Sequence, residues 1–191
     1  MLLLGSRLIG TPIMGLQTGT KLAETAQPII DPSNLKVVAY IVDGPLLSEK
    51  PSVIRIADVR ELSDIGMIID SSDEFVGLKD VIHINKLYDI GFRLVGMSVV
   101  DELGHKLGKV EDYSLDAASF VIQQLNIKRG LVKSLTETGL LIHRSQIVEI
   151  NDNNIIVKTT AKRPDPVIQT DKHAFINPFR STSPQTDIDA N

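Results

Sequence analysis

The sequence predicts an all-β protein in which two small β-barrels lie in tandem, joined by a short helix and followed by a flexible C-terminal tail. Three observations predict this class: an internal repeat, several short β-rich runs bounded by turn residues, and one segment with helical periodicity. The chain has 191 residues, of which 42% are hydrophobic. It is therefore long enough for one large domain or two small ones and has the composition of a globular protein.

The internal repeat consists of four pairs of short matches that occur in the same order along the chain. Their members lie 85 to 88 residues apart: 8–10 with 94–96, 19–24 with 104–109, 58–62 with 146–150, and 68–69 with 155–156. Each match is short, but chance matches do not stay collinear. The sequence therefore predicts a duplication, and each repeat of about 75 residues is large enough to fold as a small domain.

The second repeat shows its strands clearly. Residues 96–101 and 106–110 predict a hairpin in which Gly104 supplies a positive φ, and residues 120–127 predict a strand with a bulge at Gln124. Further strands are predicted at 140–142, 147–150 and 155–158, and at the equivalent places 37–42, 53–56 and 66–70 of the first repeat. Short strands at such spacing are typical of a small barrel or sandwich.

Between the repeats the apolar residues follow a helical period, which predicts a helix over residues 80–90. Asp80 is expected to cap its start, and Gly91 to end it. After Arg163 the chain is rich in proline and polar residues, which predicts a flexible tail, with an apolar segment at 174–179 that is either inert or docks on a partner or on the chain's own barrel. The predicted domain map is 1–78, a helical linker at 79–92, 93–163, and the tail at 164–191.

Composition excludes several classes of function. The chain has no cysteine, which removes disulfides, thiolate nucleophiles and cysteine metal sites. A net charge of −4, only 4% aromatic residues and no tryptophan disfavour a nucleic-acid surface. No apolar run approaches the length of a membrane span. We therefore expect a cytoplasmic protein.

Candidate catalytic and metal sites are weak. The segment 104–109 superficially resembles a phosphate loop, but its glycines are one residue too close and Val110 stands where a serine or threonine would bind magnesium. The four histidines have no ligand spacing, and the acidic segment 70–74 lacks the glycine and distal glutamate of a calcium loop. His143 and Ser145 have no orienting acid nearby in sequence. We expect no enzyme activity, no cofactor and no metal.

The second repeat resembles the PRC-barrel domain, the small β-barrel of the photosynthetic reaction-centre H subunit and of the C-terminus of the ribosome-maturation factor RimM. The residues that carry the resemblance are Leu94-Val95-Gly96-Met97-Ser98-Val99, Gly104 with Leu107-Gly108-Lys109-Val110, and the run from Leu140 to Ile150. The first repeat matches more loosely, because Ala23 replaces the second glycine and Pro28 and Pro32 interrupt the first strand. The resemblance implies a tandem PRC-barrel protein that acts as a non-enzymatic scaffold or adaptor.

The two repeats differ in charge, and this difference suggests a binding surface. Residues 1–78 carry 6 Lys/Arg and 10 Asp/Glu, whereas residues 93–163 carry 10 and 8. Three of the basic residues cluster around an apolar pair in one loop of the second repeat: Lys128, Arg129, Leu131, Val132 and Lys133. This cluster is interpreted as either a solvated loop or a partner-binding edge with arginine and apolar anchors.

The leading functional hypothesis is a protein-interaction adaptor or scaffold whose partner is another protein. One alternative is a RimM-like ribosome-assembly factor that contacts RNA or ribosomal proteins, which the acidic pI of about 5.5 disfavours. Another alternative is a small-ligand-binding barrel. Nucleic-acid partners and a membrane span are not expected. The sequence leaves the oligomeric state open, with a monomer favoured.

Overall fold

The structure is a computed structural model that describes residues 1–45, 47–129 and 139–158. Residues Met1–Thr159 form one compact unit. Three predicted site residues, Leu131, Val132 and Lys133, lie outside the described residues, as do the predicted tail and its apolar segment 174–179.

The described part of the chain is mostly β and forms two seven-stranded sheets. The first sheet has the strand order β6-β7-β2-β3-β4-β5-β8, and all its neighbouring strands are antiparallel except the parallel pair β2 and β7. Its strands are β2 (Pro12–Gly15), β3 (Lys21–Asp31), β4 (Lys36–Asp43), β5 (Ser52–Arg55), β6 (Glu61–Ser63), β7 (Gly66–Ile69) and β8 (Val76–Gly77).

The second sheet has the strand order β13-β14-β9-β10-β11-β12, with β1 pairing to the free end of β10. Here too one neighbouring pair, β9 and β14, is parallel. Its strands are β1 (Leu2–Leu4), β9 (Ser98–Asp101), β10 (Lys106–Asp116), β11 (Ile122–Lys128), β12 (Leu140–His143), β13 (Ile147–Ile150) and β14 (Asn154–Val157). The abundance of strands confirms the predicted all-β class. Among the described residues neither strand order closes on itself, so closed barrels are not seen.

The two sheets repeat one topology, because β2 to β7 and β9 to β14 follow the same order with the same parallel pair. The bulges repeat as well. The unpaired residues are Leu22, Ala26 and Val38 in the first sheet and Leu107, Glu111 and Gln123 in the second, each 85 residues later. The predicted bulge at Gln124 is therefore wrong by one residue, since Gln124 itself pairs with Ser114.

The register also corrects one of the four sequence matches. Met67 pairs with Ile13 in the first sheet, and Ile155 pairs with Val99 in the second. Residues 67–69 therefore correspond to residues 155–157, which lie 88 residues later. The sequence match had indicated a separation of 87.

The expected interruption of the strand at Pro28 is also corrected, because Pro28 lies inside β3 and pairs with Tyr40. β2 pairs with β3 only through Lys21–Glu24, so at Pro28 the strand has one open side that tolerates the missing N–H.

The two halves contact each other through equivalent residues. Val37 donates its N–H to the Phe120 carbonyl (3.0 Å), and Ile122 donates to the Leu35 carbonyl (2.8 Å). The two donors, Val37 and Ile122, are 85 residues apart, and so are the two acceptors, Leu35 and Phe120. The two hydrogen bonds are therefore related by a pseudo-twofold axis. Leu35 and Phe120 also share a positive φ, 52° and 57°. One hydrophobic core contains buried side chains of both sheets.

The single α-helix of the described residues, α1 (Ile82–Ile90), lies in the predicted segment and ends at Gly91 with a positive φ of 67°. The predicted cap at Asp80 is wrong. Residues Leu78–Asp80 form a separate 3₁₀ turn, so Val81 occupies the cap position. Ile84 and Leu87 of α1 pack on the outer face of the first sheet against Ile29, Ala39 and Val53.

The segments that precede the two repeats are exchanged. β1 precedes the first repeat but pairs with β10 of the second sheet, whereas α1 precedes the second repeat but packs on the first sheet. The predicted domain map placed a boundary between residues 78 and 93 and put β1 in the first domain; that map stays a prediction.

Candidate protein-interaction surface

A groove lies where the two halves meet, and its walls come from equivalent segments of each. One set comprises Ile9 and residues 26–28; the other comprises Val95 and residues 111–113. The groove has a volume of about 520 Å³. Seven of its lining residues are apolar: Ile9, Ala26, Pro28, Ile30, Phe92, Leu94 and Val95. We call this feature the central groove.

Local turns hold the two equivalent apolar side chains out toward solvent. Leu8 and Leu94 are buried, while the residues that follow them, Ile9 and Val95, are 44% and 52% exposed. The next residue in each half is a glycine with positive φ, Gly10 and Gly96, which turns the chain back into the sheet. In each half the exposed apolar residue thus lies between a buried leucine and a glycine turn.

Close packing and hydrogen bonds join the two halves at the groove, around Gly5 and Tyr113. Gly5 lies against the Tyr113 ring so closely that a β-carbon there would be 2.3 Å from Tyr113 Cζ. Asp112 fixes the same turn, because its carboxylate accepts the Ser6 N–H (3.1 Å), the Ser6 hydroxyl (2.5 Å) and the Tyr113 N–H (2.8 Å). Burial raises the pKa of the Tyr113 phenol, and the nearby Asp112 charge raises it further, so Tyr113 is neutral.

The start of the predicted basic loop lies beside this groove. Lys128 is exposed at the end of β11, and its Nζ lies 3.2 Å from Oε1 of Glu111, which lines the groove. Arg129 follows and is half-buried. Of the five predicted residues the structure thus describes two, and one of them contacts the groove wall through a surface ion pair.

Sequence reasoning missed the central groove although one signal was present. The matching triplets 8–10 and 94–96 each place an exposed apolar residue between a leucine and a glycine. A repeat that keeps an apolar residue at a turn indicates a surface role, because a turn does not need one. The pairing of the two turns across the pseudo-twofold axis depends on tertiary contacts, which the sequence does not reveal.

The other candidate sites take structural roles. Gly104 has a positive φ of 84° in the turn between β9 and β10, which confirms the hairpin at the segment that resembled a phosphate loop. Asp101 organises this turn by accepting the N–H groups of Leu103 (2.9 Å) and His105 (2.8 Å). In the acidic segment, Asp70 forms a two-point ion pair with Arg60, which lies just before β6.

His143 and Ser145 do meet, but as a cap. His143 Nδ1 accepts the Ser145 N–H (3.2 Å) and lies 2.8 Å from the Ser145 hydroxyl, while Gln146 Oε1 accepts the His143 N–H (2.8 Å). This pattern is a capping box for the 3₁₀ turn Arg144–Gln146. In the described part of the chain, no three acidic or histidine side chains are grouped as metal ligands. No described helix is long and apolar enough to cross a membrane.

Comparison with known protein families supports the prediction made for the second repeat. Residues 91–164 match the family model of the PRC-barrel domain, which confirms the resemblance predicted for the second repeat. A search of curated proteins found no match to the chain. The matched segment holds six strands of the second sheet, β9 to β14, together with Val95 and the turn that shapes one wall of the groove. Residues 91–164 are therefore similar to the PRC-barrel domain, and the match does not extend to the first sheet.

Proposed function

We propose that the protein is a non-enzymatic interaction adaptor built from two PRC-barrels, and that the central groove binds a protein partner. The second PRC-barrel is the segment 91–164 that matches the family. The first is the β2 to β7 region, whose strand order, parallel pair and bulges repeat those of β9 to β14. A small β-barrel module of this family is suited to protein contacts.

The observation that carries the proposal is the pair of exposed apolar side chains, Ile9 and Val95, at equivalent positions in one groove. Exposed apolar groups set in a polar rim are typical of interaction sites. The rim here is formed by Gln27, Arg93 and Glu111. Lys128 extends it by its ion pair with Glu111, which brings the start of the predicted loop into the same surface.

The test compares the unmodified full chain with groove variants in affinity capture with chemical crosslinking from native lysate. Ile9→Asp and Val95→Asp, singly and together, place charges in the groove at exposed positions, where stability changes by no more than about 0.5 kcal/mol. Partners bound by the groove should be lost. Leu103→Asp is the matched control, because Leu103 is also exposed but lies in the β9–β10 turn. Proteins retained equally by all variants contradict the proposal.

The predicted basic loop supplies a second arm of the same experiment. Lys128→Glu, Arg129→Glu and Leu131→Ser are expected to weaken capture if the loop borders the interface. The RNA-associated alternative gives a different pattern, in which capture is sensitive to ribonuclease and falls steeply with salt. In that case Leu131→Ser should have little effect, because phosphate contacts depend on charge.

A small-ligand function is a second candidate, favoured by the volume of the groove. About 520 Å³ lies within the range of small-molecule sites, and the lining is mostly apolar. Native mass spectrometry of the full chain tests this candidate. A retained small molecule that Val95→Asp releases would favour it, and the adaptor proposal would then lose its binding surface.

A further inference from the structure

The two sheets differ at one edge, and the difference points to a second binding site. In the first sheet the outer edge of β5 is covered by β8, with Ser52 opposite Gly77 and Val53 opposite Val76. The Leu78 N–H continues this ladder by donating to the Pro51 carbonyl (3.0 Å). β12 is the equivalent of β5, because Asn126 pairs with Leu141 as Ile41 pairs with Val53. Within the described ranges no strand pairs with the outer edge of β12.

Side-chain exposure marks the same edge. Val53 is fully buried beneath α1 and β8, whereas its equivalent Leu141 is 59% exposed. The cross-strand neighbour of Leu141, Asn126, has a side-chain oxygen that is shielded from solvent and has no hydrogen-bond partner in the described part of the chain. An open strand edge with an uncovered apolar side chain forms a template for an added strand, and here an unsatisfied acceptor lies on the neighbouring strand.

Charge indicates what kind of strand fits. His143 and Arg144 lie at one end of the edge. In the first sheet, Glu74 stands two residues before β8. Asp58 is the main cause of the raised pKa of Arg55, and Glu74 raises this pKa further. Arg55 is the equivalent of His143. The chain leading into β8, which covers the edge of β5, therefore brings the acidic Glu74 near the basic Arg55.

We propose that the outer edge of β12 binds an extended peptide of a partner protein, antiparallel to β12, with a β-branched residue opposite Leu141 and an acidic residue two positions before it. This inference rests on the proposed function in one respect, namely that the chain binds proteins, but it uses a surface separate from the central groove. The peptide adds main-chain hydrogen bonds to Gly139 and Leu141, which correspond to Pro51 and Val53.

The probe is a synthetic peptide with the sequence of residues 72–80 of this chain, Ser-Asp-Glu-Phe-Val-Gly-Leu-Lys-Asp, titrated into the ¹⁵N-labelled full chain. Chemical-shift changes should centre on residues 139–143, with a dissociation constant below about 1 mM. A peptide with proline in place of Val76 lacks the central N–H and should bind at least about tenfold more weakly. A Glu74→Lys peptide should bind several-fold more weakly.

Two protein variants localise the effect. Leu141→Asp should weaken peptide binding about tenfold, while Val148→Asp should not, because Val148 is similarly exposed but lies in β13, at the opposite end of the second sheet. Shift changes centred away from β12, or no shift changes at about 1 mM peptide, would overturn the inference.

Amide exchange of the unbound full chain provides an independent check. The outward N–H groups of Gly139 and Leu141 should exchange rapidly. Slow exchange would show that the chain itself covers this edge, and the partner site would then be overturned.

Neither the peptide titration nor the amide exchange depends on the central groove. If the peptide fails while the groove variants still abolish capture, the adaptor function stands without this second site. If the groove variants change nothing while the peptide binds, the groove is wrong and the β12 edge is the interface.

Discussion

The outer faces of the two sheets show how one topology can be completed in two ways. The face of the first sheet carries Ile29, Ala39 and Val53, and α1 covers it. The register places Ser114, Gln124 and Leu141 at the same positions of the second sheet. Two of these three are polar and remain partly exposed, so this face needs no helix. Composition of one face, and not strand order, thus decides where α1 packs.

The same comparison explains why residues 1–159 behave as one compact unit. If each repeat kept its own preceding segment, each could fold alone. Instead β1 completes the second sheet and α1 covers the first, so each half contributes an element that the other buries. The hydrogen bonds between residues 35–37 and 120–122 add a direct link. The two halves are thus linked on either side of the central groove, which is lined by segments of both.

The largest expected difference between the halves is at Val53 and Leu141. Val53→Asp puts an unpaired carboxylate under α1 and should lower the free energy of unfolding by about 4 kcal/mol or more. Leu141→Asp, at the equivalent exposed position, should change it by no more than about 0.5 kcal/mol. Urea unfolding of both variants measures the two values. Equal losses would mean that the second sheet's outer face is also covered.

The two hairpin glycines should respond alike. Gly19 and Gly104 have φ values of 64° and 84°, and a β-carbon at either position would meet no atom within 4 Å beyond the adjacent residues, so backbone strain is the only cost of a side chain. Gly19→Val and Gly104→Val should each lower the free energy of unfolding by about 1–3 kcal/mol. Thermal and urea unfolding give both values. Unaltered stability in either variant would contradict the repeated hairpin geometry.

Sequence patterns were sufficient for the strands of the second repeat and for the duplication because these depend on local periodicity and on collinear matches. In the first sheet β2, β3, β6 and β8 were not predicted as strands. The hairpin at Gly104 and the helix end at Gly91 follow from the backbone freedom of glycine, which is visible in the sequence. The helix start was misplaced because the 3₁₀ turn at Leu78–Asp80 has no distinct sequence signal. β1 was not predicted, since three leucines at a chain end could not be assigned to a sheet formed about 110 residues later.

The binding surfaces were harder to predict for a physical reason. The central groove is formed by turns of both repeats that meet through the exchanged segments, and no short motif encodes that meeting. The β12 edge becomes conspicuous only beside its covered equivalent β5. The predicted basic loop was found from charge alone, and Lys128 does border the groove wall through Glu111. Its interaction role remains a prediction.

A smaller difference is expected from pH at the β9–β10 turn. Burial raises the pKa of Asp101, but hydrogen bonds from the His105 side chain and from the His105 and Leu103 amides outweigh it, so the pKa lies below its usual value. The carboxylate therefore stabilises the fold above the unfolded pKa of about 4, and this contribution is lost as the pH falls through the lower folded pKa. The equivalent residue, Gly15, has no such group.

Unfolding of the wild type and of Asp101→Asn at pH 7 and at about pH 2 tests this contribution. The variant should be less stable at pH 7, and the two proteins should converge in acid. Glu102→Gln, at the exposed neighbouring residue, should show no such convergence. A constant difference between wild type and Asp101→Asn at both pH values would mean that the charge of Asp101 does not stabilise the turn.

The smallest expected effect is at Tyr40, whose buried hydroxyl has no counterpart at the equivalent position of the second sheet. Tyr40 is fully buried, and its equivalent in the second sheet is the fully buried Leu125. The Tyr40 hydroxyl has no hydrogen-bond partner within the described residues, and burial, with a further contribution from Tyr113, raises the pKa of this phenol well above its usual value. Removing a buried polar group that forms no bond relieves its desolvation cost. Tyr40→Phe should therefore leave the free energy of unfolding unchanged or raise it by up to about 1 kcal/mol.

Tyr88→Phe is the control for this change, because Tyr88 is exposed on α1 and should shift stability by less than about 0.5 kcal/mol in either direction. Both variants keep the ring, so differential unfolding in urea compares hydroxyls alone. A loss of more than about 1 kcal/mol in Tyr40→Phe would show that the hydroxyl does form a stabilising bond. The part of the shared core around Tyr40 would then depend on a specific hydrogen bond that the equivalent position, Leu125, does not form.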